Sequence, residues 1–186
     1  EEIDRYEDEI GAYLVKLSTC PLTDGDSRRI SCWLHSITDF ERIGDHAQSI
    51  AEHARSMAER GQSFSPQAET ELRVITDALI EIVTMTVSMF RYGDTAAARR
   101  VGPLEQVIDS LDGRIKDSHI RRRRAGTCSL ETGFDLYEIL NDVERISDHC
   151  SNLAACQIAE AQESYEVHAY LDTVKDGTDA AFQREY

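Results

Sequence analysis

Glu41 and Asp45 stand four residues apart, and so do Glu144 and Asp148. On a helix that spacing sets both carboxylates of a pair on one face, with Cβ atoms about 6 Å apart. Acids held so close oppose one another until they take up a proton or a cation, so the chemistry on offer is proton sharing or metal ligation through oxygen. Each pair belongs to a longer stretch that occurs twice. Residues 39–46 read Asp-Phe-Glu-Arg-Ile-Gly-Asp-His and residues 142–149 read Asp-Val-Glu-Arg-Ile-Ser-Asp-His, an offset of 103 that still matches Ala51 to Ala154. An internal repeat on this scale makes the question what two copies do together.

Glu105 and Asp109 repeat the spacing on the helix ahead of the second copy. If the fourth and fifth helices lie side by side, Glu105, Asp109, Glu144 and Asp148 form a four-carboxylate metal site on a solvent-accessible shoulder. In the first copy Ile3-Asp4 corresponds to Ile108-Asp109, and the counterpart of Glu105 falls before Glu1. Asp4, Glu41 and Asp45 therefore form a weaker or incomplete equivalent. Oxygen-only ligands suit iron, zinc, nickel, manganese or magnesium without choosing among them. The competing reading is two solvated acidic faces. Asp39, Arg42 and His46 lie on the other shoulder, where the Asp–Arg spacing fits a surface ion pair. His46 and His149 share no face with the carboxylate pairs; each is expected to be edge-packed and hydrogen-bonded to a neighbouring helix.

The elements that must position these residues are helices. Only three prolines interrupt 186 residues, and apolar residues recur at alternating three and four. The first helix, residues 1 to about 18, carries Ile3, Tyr6, Ile10, Tyr13, Leu14 and Leu17. The second, capped by Asp26 or Ser27, runs to about Arg60 with Ile30, Trp33, Ile37, Phe40, Gly44, Ala47, Ala51, Ala54 and Ala58 as its seam. Ser65-Pro66 caps the third, which continues to about Tyr92. Gly93-Asp94 separates it from the fourth, where Gly102-Pro103 should break or kink the first turns. The fifth runs from 129 to about 162, with Leu136, Ile139, Leu140, Val143, Ile146, Cys150 and Leu153 inward. Tyr170, Leu171, Val174 and Phe182 mark a shorter sixth helix closing the second half. The expected fold is all-α, a single domain over 1–186. Its six helices form two tandem three-helix bundles, 1–92 and 94–186, related by a pseudo-twofold axis.

A net charge of −15 repels nucleic acid and suits cations or basic partners. Five cysteines without a CxxC pair give no disulfide framework and no thiolate zinc site, and favour a reducing cytoplasm. No apolar run is long enough to cross a bilayer. The start at Glu1, inside a helical pattern and without Met, reads as a piece of something longer. Arg121–Arg124 reads as a cationic last helical turn, or as an anion or lipid-headgroup contact.

The two copies, ERIGDHAQSIAE and ERISDHCSNLA, resemble the signature of the PhoU family of phosphate-transport regulators. The Glu105–Asp109 element, Cys128 and the segment from His168 to Phe182 are more similar to the PhoU-like C-terminal domain of bacterial sodium/phosphate cotransporter proteins. The resemblance implies a six-helix regulator of phosphate uptake at the inner face of the cell membrane. It also implies multinuclear metal clusters held by Glu41 and Asp45 in one half and by Glu144 and Asp148 in the other. The second copy replaces Gly44 with Ser147 and Glu52 with Ala155, which separates the two halves in metal binding. The implied partners are a phosphate transporter, in the same polypeptide or a separate one, metal ions, and in a homo-oligomer a second copy of the chain.

No Gly-rich phosphate loop or nucleophile–base pair marks an enzyme. A carboxylate-bridged metalloenzyme is the alternative, but that class expects inward Glu-x-x-His pairs that both motif helices lack. An acidic scaffold without metal is the third reading.

Overall fold

The computed structural model describes residues 2–161, which form five helices and no strand. They are α1 (Glu2–Ser18), α2 (Asp24–Glu59), α3 (Pro66–Tyr92), α4 (Thr95–Arg124) and α5 (Leu130–Ala161). The expected sixth helix lies outside the described residues.

Helix boundaries follow local chemistry. Thr23, rather than Asp26 or Ser27, caps α2: its hydroxyl accepts from the Asp26 amide while the Asp26 carboxylate accepts from the Thr23 amide. This is a capping box, so Asp26 serves at the third position instead of the cap. Ser65 caps α3 with Pro66 next, where a missing N–H costs nothing. Gly93 ends α3 at φ 67°, a left-handed conformation that favours glycine, and Asp94 then accepts from the amides of Ala96 and Ala97 to start α4. Of the expected break or kink at Gly102-Pro103 there is no break, since α4 is helical through both residues. Val101 to Glu105 are all buried, and that packing holds the helix where Pro103 removes a hydrogen bond.

The core is the meeting of α3, α4 and α5. Ile75, Ile82 and Met89 of α3, at heptad spacing, face Ile108 and Ile115 of α4 and Leu136, Leu140 and Leu153 of α5. Each fully buried aliphatic side chain contributes roughly 1.5–3 kcal/mol. This bundle crosses the sequence repeat, because α3 comes from the first copy and its principal packing is against α4 and α5. Its contact with α2 is local, an edge-to-face pair of Phe40 and Phe90 with ring centroids 5.1 Å apart.

The remaining helices form a hairpin of α1 on α2, docked through α2 onto α5. The expected apolar seam of α2 is packed only in part: Ile37, Phe40 and Gly44 are half-buried, Phe40 against the core and Gly44 against Ile3. Ile30, Ser36 and Met57 are buried, while Trp33, Ala47, Ala51, Ala54 and Ala58 are exposed. On α1 only Leu14 is buried.

Candidate functional site

Along the α2–α5 seam, cross-links recur at seven-residue steps on both antiparallel helices. Cys32 is joined to Cys156, with Cα atoms 5.9 Å apart. One heptad on, His149 Nδ1 lies 2.8 Å from Asp39 Oδ1. At the next, His46 Nδ1 lies 2.8 Å from Asp142 Oδ1. At the last, His53 Nδ1 stands 3.8 Å from Asp135, whose other oxygen accepts from Arg60 at 2.7 Å. The disulfide corrects the cysteine reading, since a pair 124 residues apart leaves no local spacing to notice. Cys20, Cys128 and Cys150 are free, and burial pushes the Cys150 thiol up to about 11.

The two motif histidines are hydrogen-bonded to the neighbouring helix, each to the Asp that opens the other copy of the motif. Their rings stack with centroids 5.9 Å apart and planes 27° from parallel. Asp39 is thereby drawn away from the expected ion pair with Arg42, which instead approaches Glu41 at 3.5 Å and Asp45 at 3.7 Å.

Among the carboxylates expected to hold metal, the structure brings together Asp4, Glu41 and Asp45. Ligand oxygens of all three lie within 4.8 Å of one another. Gly44 allows the approach: a Cβ there would stand 2.7 Å from Ile3 Cδ1. Ile3 seats against Gly44, and the next residue on each helix, Asp4 and Asp45, is carried into the cluster. Burial raises the Glu41 carboxyl above its ordinary value of 4.5, and the hydrogen bond and charge of Asp45 raise it further. This is the expected signature of acids that need a shared proton or a cation.

Among the described residues Glu105, Asp109, Glu144 and Asp148 do not gather to the same spacing. Glu105 is buried in α4 while Asp109 is exposed one turn further on. Glu144 and Asp148 are half-buried, and Arg145 lies 3.9 Å from Asp148.

Sequence reading missed the role of Arg122 within its run of four. Arg122 is buried, and its Nη1 donates to Glu71 at 2.6 Å and Ser118 at 2.9 Å. Arg123 donates to the Cys128 carbonyl, while Arg121 and Arg124 are exposed in the last turn. Burial acts to raise the Glu71 carboxyl, but hydrogen bonds from Ser118 and Arg122 and the Arg122 charge outweigh it, and the group ends below its ordinary value. Only an acid one bundle helix away, at Glu71, hinted that one arginine of the four would turn inward.

The five described helices, with the duplicated Glu-x-x-x-Asp motif on the paired helices α2 and α5, define an all-α helical bundle. The chain belongs to the PhoU domain family, which it matches over residues 1–54 and 72–156. It is 27% identical over 143 residues to the phosphate-specific transport system accessory protein PhoU homolog 1 of Thermotoga maritima, covering 77% of this chain and 60% of that one. A PhoU homolog of the same description from a Burkholderia species is 28% identical over 118 residues, 63% of this chain and 50% of that one. The chain thus spans between half and three fifths of the length of these relatives. The fold is similar to that of PhoU from Pseudomonas aeruginosa, with a TM-score of 0.81 at 24% identity over 88% of this chain and 78% of that one. It also resembles the phosphate transport system regulatory protein PhoU from Streptococcus pneumoniae, with a TM-score of 0.76 at 18% identity, covering 88% and 75%.

Proposed function

We propose that this chain is a regulatory domain that controls a phosphate transporter by docking, with a carboxylate metal site at Asp4, Glu41 and Asp45. The observation that carries the reading is the reciprocal cross-linking of two motif helices within a PhoU fold. It makes a rigid double element with charged faces suited to meeting a partner. No described helix is long and apolar enough to cross a membrane. A sodium-dependent cotransporter, in the same polypeptide or beside it, fits the resemblance of the sequence, and the inner face of the membrane is where the domain would act.

The donor set of the cluster fits a hard or borderline cation. Three carboxylates converge, and burial together with Asp45 already pushes one of them, Glu41, toward the protonated form. A bound ion would neutralise that repulsion and tie α1 to α2. Iron, zinc, nickel, manganese and magnesium are all compatible with oxygen donors, and Glu105, Asp109, Glu144 and Asp148 remain the proposed second set. A second copy of the chain is a further candidate partner.

The test is deletion of the domain from its parent system, with phosphate uptake measured under phosphate-rich and phosphate-poor conditions. Altered uptake or altered repression supports the reading; unchanged flux under both conditions refutes it. Metal content of protein purified without chelator, compared between wild type and Glu41→Gln/Asp45→Asn, tests the cluster separately.

A further inference from the structure

Where α4 hands over to α5, the fold pairs a thiol with an imidazole nine residues before it. Cys128 Sγ lies 3.8 Å from His119 Nδ1, a nucleophile within reach of a base. His119 is buried and its ring is held on two sides. Tyr137 meets it edge-on with centroids 6.0 Å apart, and a Cβ on Gly133 would stand 2.6 Å from Nε2, so glycine is what leaves the ring its place against α5. The charged and titratable groups around it are Arg122 and Arg123 of α4, Glu71 of α3, Tyr137 of α5 and Cys128 itself. Burial holds the imidazole below its ordinary value of 6.5, Arg122 and Arg123 push it the same way, and Glu71 opposes them. The ring is therefore neutral at pH 7 and able to accept a proton.

Beside the pair an open cleft of about 300 Å³ lies between the α2–α3 and α4–α5 connections, and Gln62, Ser63, Ser65, Cys128, Ser129 and Thr132 contribute to its walls. Gln62 donates to Glu131 at 2.7 Å, which ties the α2–α3 connection to α5. Arg123 Nη1 donates to the Cys128 carbonyl at 3.2 Å, and Arg121 and Arg124 are exposed in the same helical turn. This is a local cationic rim on a chain of net charge −15. A polar cleft of this size beside guanidinium groups fits a small anionic molecule of peptide type.

We propose that Cys128, with His119 as its base, is a thiol-modification site for an anionic low-molecular-weight disulfide of peptide type seated in this cleft. The thiol proton passes to His119 Nδ1, and the Cys128 sulfur attacks one sulfur of the reagent. A mixed disulfide forms on Cys128 as the reagent's own S–S bond breaks, and the departing thiolate takes the proton back from His119. One disulfide is consumed and one small thiol released, with no further oxidant. The other free thiols lack this setting. Cys20 is exposed and donates to the Lys16 carbonyl at 3.9 Å, a group that cannot take its proton, and Cys150 is buried.

That contrast supplies the test. The full chain is treated with oxidised glutathione at pH 7, and adducts are mapped by peptide mass over time. Cys128 is expected to react at least about tenfold faster than Cys20, although Cys20 is the more exposed. An equal or slower rate at Cys128 overturns the proposal. S-methylglutathione, which has no sulfur to exchange, should slow Cys128 and leave Cys20 unchanged; absence of slowing shows that the cleft does not seat the reagent and overturns the proposal as well. In His119→Gln the Cys128 rate at pH 7 should fall about tenfold and then climb with pH, whereas the wild-type rate is level from pH 7 to 8. An unchanged rate in the folded variant removes His119 from the reaction and refutes the assignment. If the variant fails to fold, the wild-type comparison of Cys128 with Cys20 decides alone.

Discussion

The His46 ring donates from Nδ1 to the Asp142 carboxylate at 2.8 Å, and His149 makes the same contact with Asp39 at the same distance. Each repeat therefore spends its motif histidine on the other repeat's motif aspartate. The second oxygen of Asp142 is buried without a hydrogen-bond partner, so His46 is what compensates this carboxylate for its loss of water.

Removing either histidine strands a half-buried acid. His46→Ala and His149→Ala should each destabilise by about 1–3 kcal/mol, and the two costs should be similar because the contacts are symmetric. His46→Ala combined with Asp142→Ala should cost clearly less than the two single changes together. Urea denaturation of the four proteins measures it, and strict additivity would show that the contact contributes nothing.

The carboxylate cluster predicts its own pH dependence. The Glu41 carboxyl is raised in the folded protein by burial and by Asp45. Its contribution to stability is therefore complete below the ordinary value of 4.5 and is lost as pH rises through the folded value. Glu41→Gln should remove that slope and stabilise the protein at neutral pH by up to about 1 kcal/mol. A divalent ion should stabilise the wild type at neutral pH and leave the variant nearly unaffected. Denaturation midpoints between acidic and neutral pH, with and without ion, check both statements.

Gly44 sets the reach of Asp4. Gly44→Val would crowd the tip of the half-exposed Ile3 side chain, which must turn aside, at a cost below about 1 kcal/mol. Metal uptake at the cluster should fall while far-UV helicity persists. Undiminished uptake would show that Asp4 is no ligand.

Glu71, half-buried, and Arg122, buried, form a pair whose loss should be uneven. Arg122→Ala leaves a half-buried acid uncompensated and should cost about 1.5–3 kcal/mol. Two Arg122 nitrogens, Nε and Nη2, are buried without partners, so Glu71→Leu/Arg122→Met should restore most of that stability. The Glu71 carboxyl is lowered in the folded protein. Its contribution is present above 4.5 and is lost as pH falls through the lowered value, so the double variant should resist acid better than the wild type.

Why some of this was legible and some was not comes down to which faces are packed. The inward face of α5 was readable because all seven expected residues, Leu136 to Leu153, are covered by α2, α3 and α4. The face of α2 was only partly read, because Trp33 and the alanines of its seam are open while the side toward α5 carries Cys32, Asp39, His46 and His53. Pattern reading sends such residues to the surface, yet here each has a partner across the seam. Both carboxylate sets were nameable from spacing. Which set converges depends on helix separation, and the Ile3–Gly44 contact that sets it pairs residues 41 positions apart with no local mark. Arg122 was hidden by three neighbours of its own kind.

The passage of α3 into the second bundle bears on how such a chain could arise. A polypeptide holding one copy of the repeat would have its third helix packed on someone else's first two. It could bury its apolar faces only as a pair, each subunit lending a helix to its twin, and head-to-tail gene duplication would then fuse an exchanged dimer into one chain. The Gly93-Asp94 turn would be the scar of that fusion. Severing it should leave two fragments that find each other again, as the subunits of the ancestor had to do.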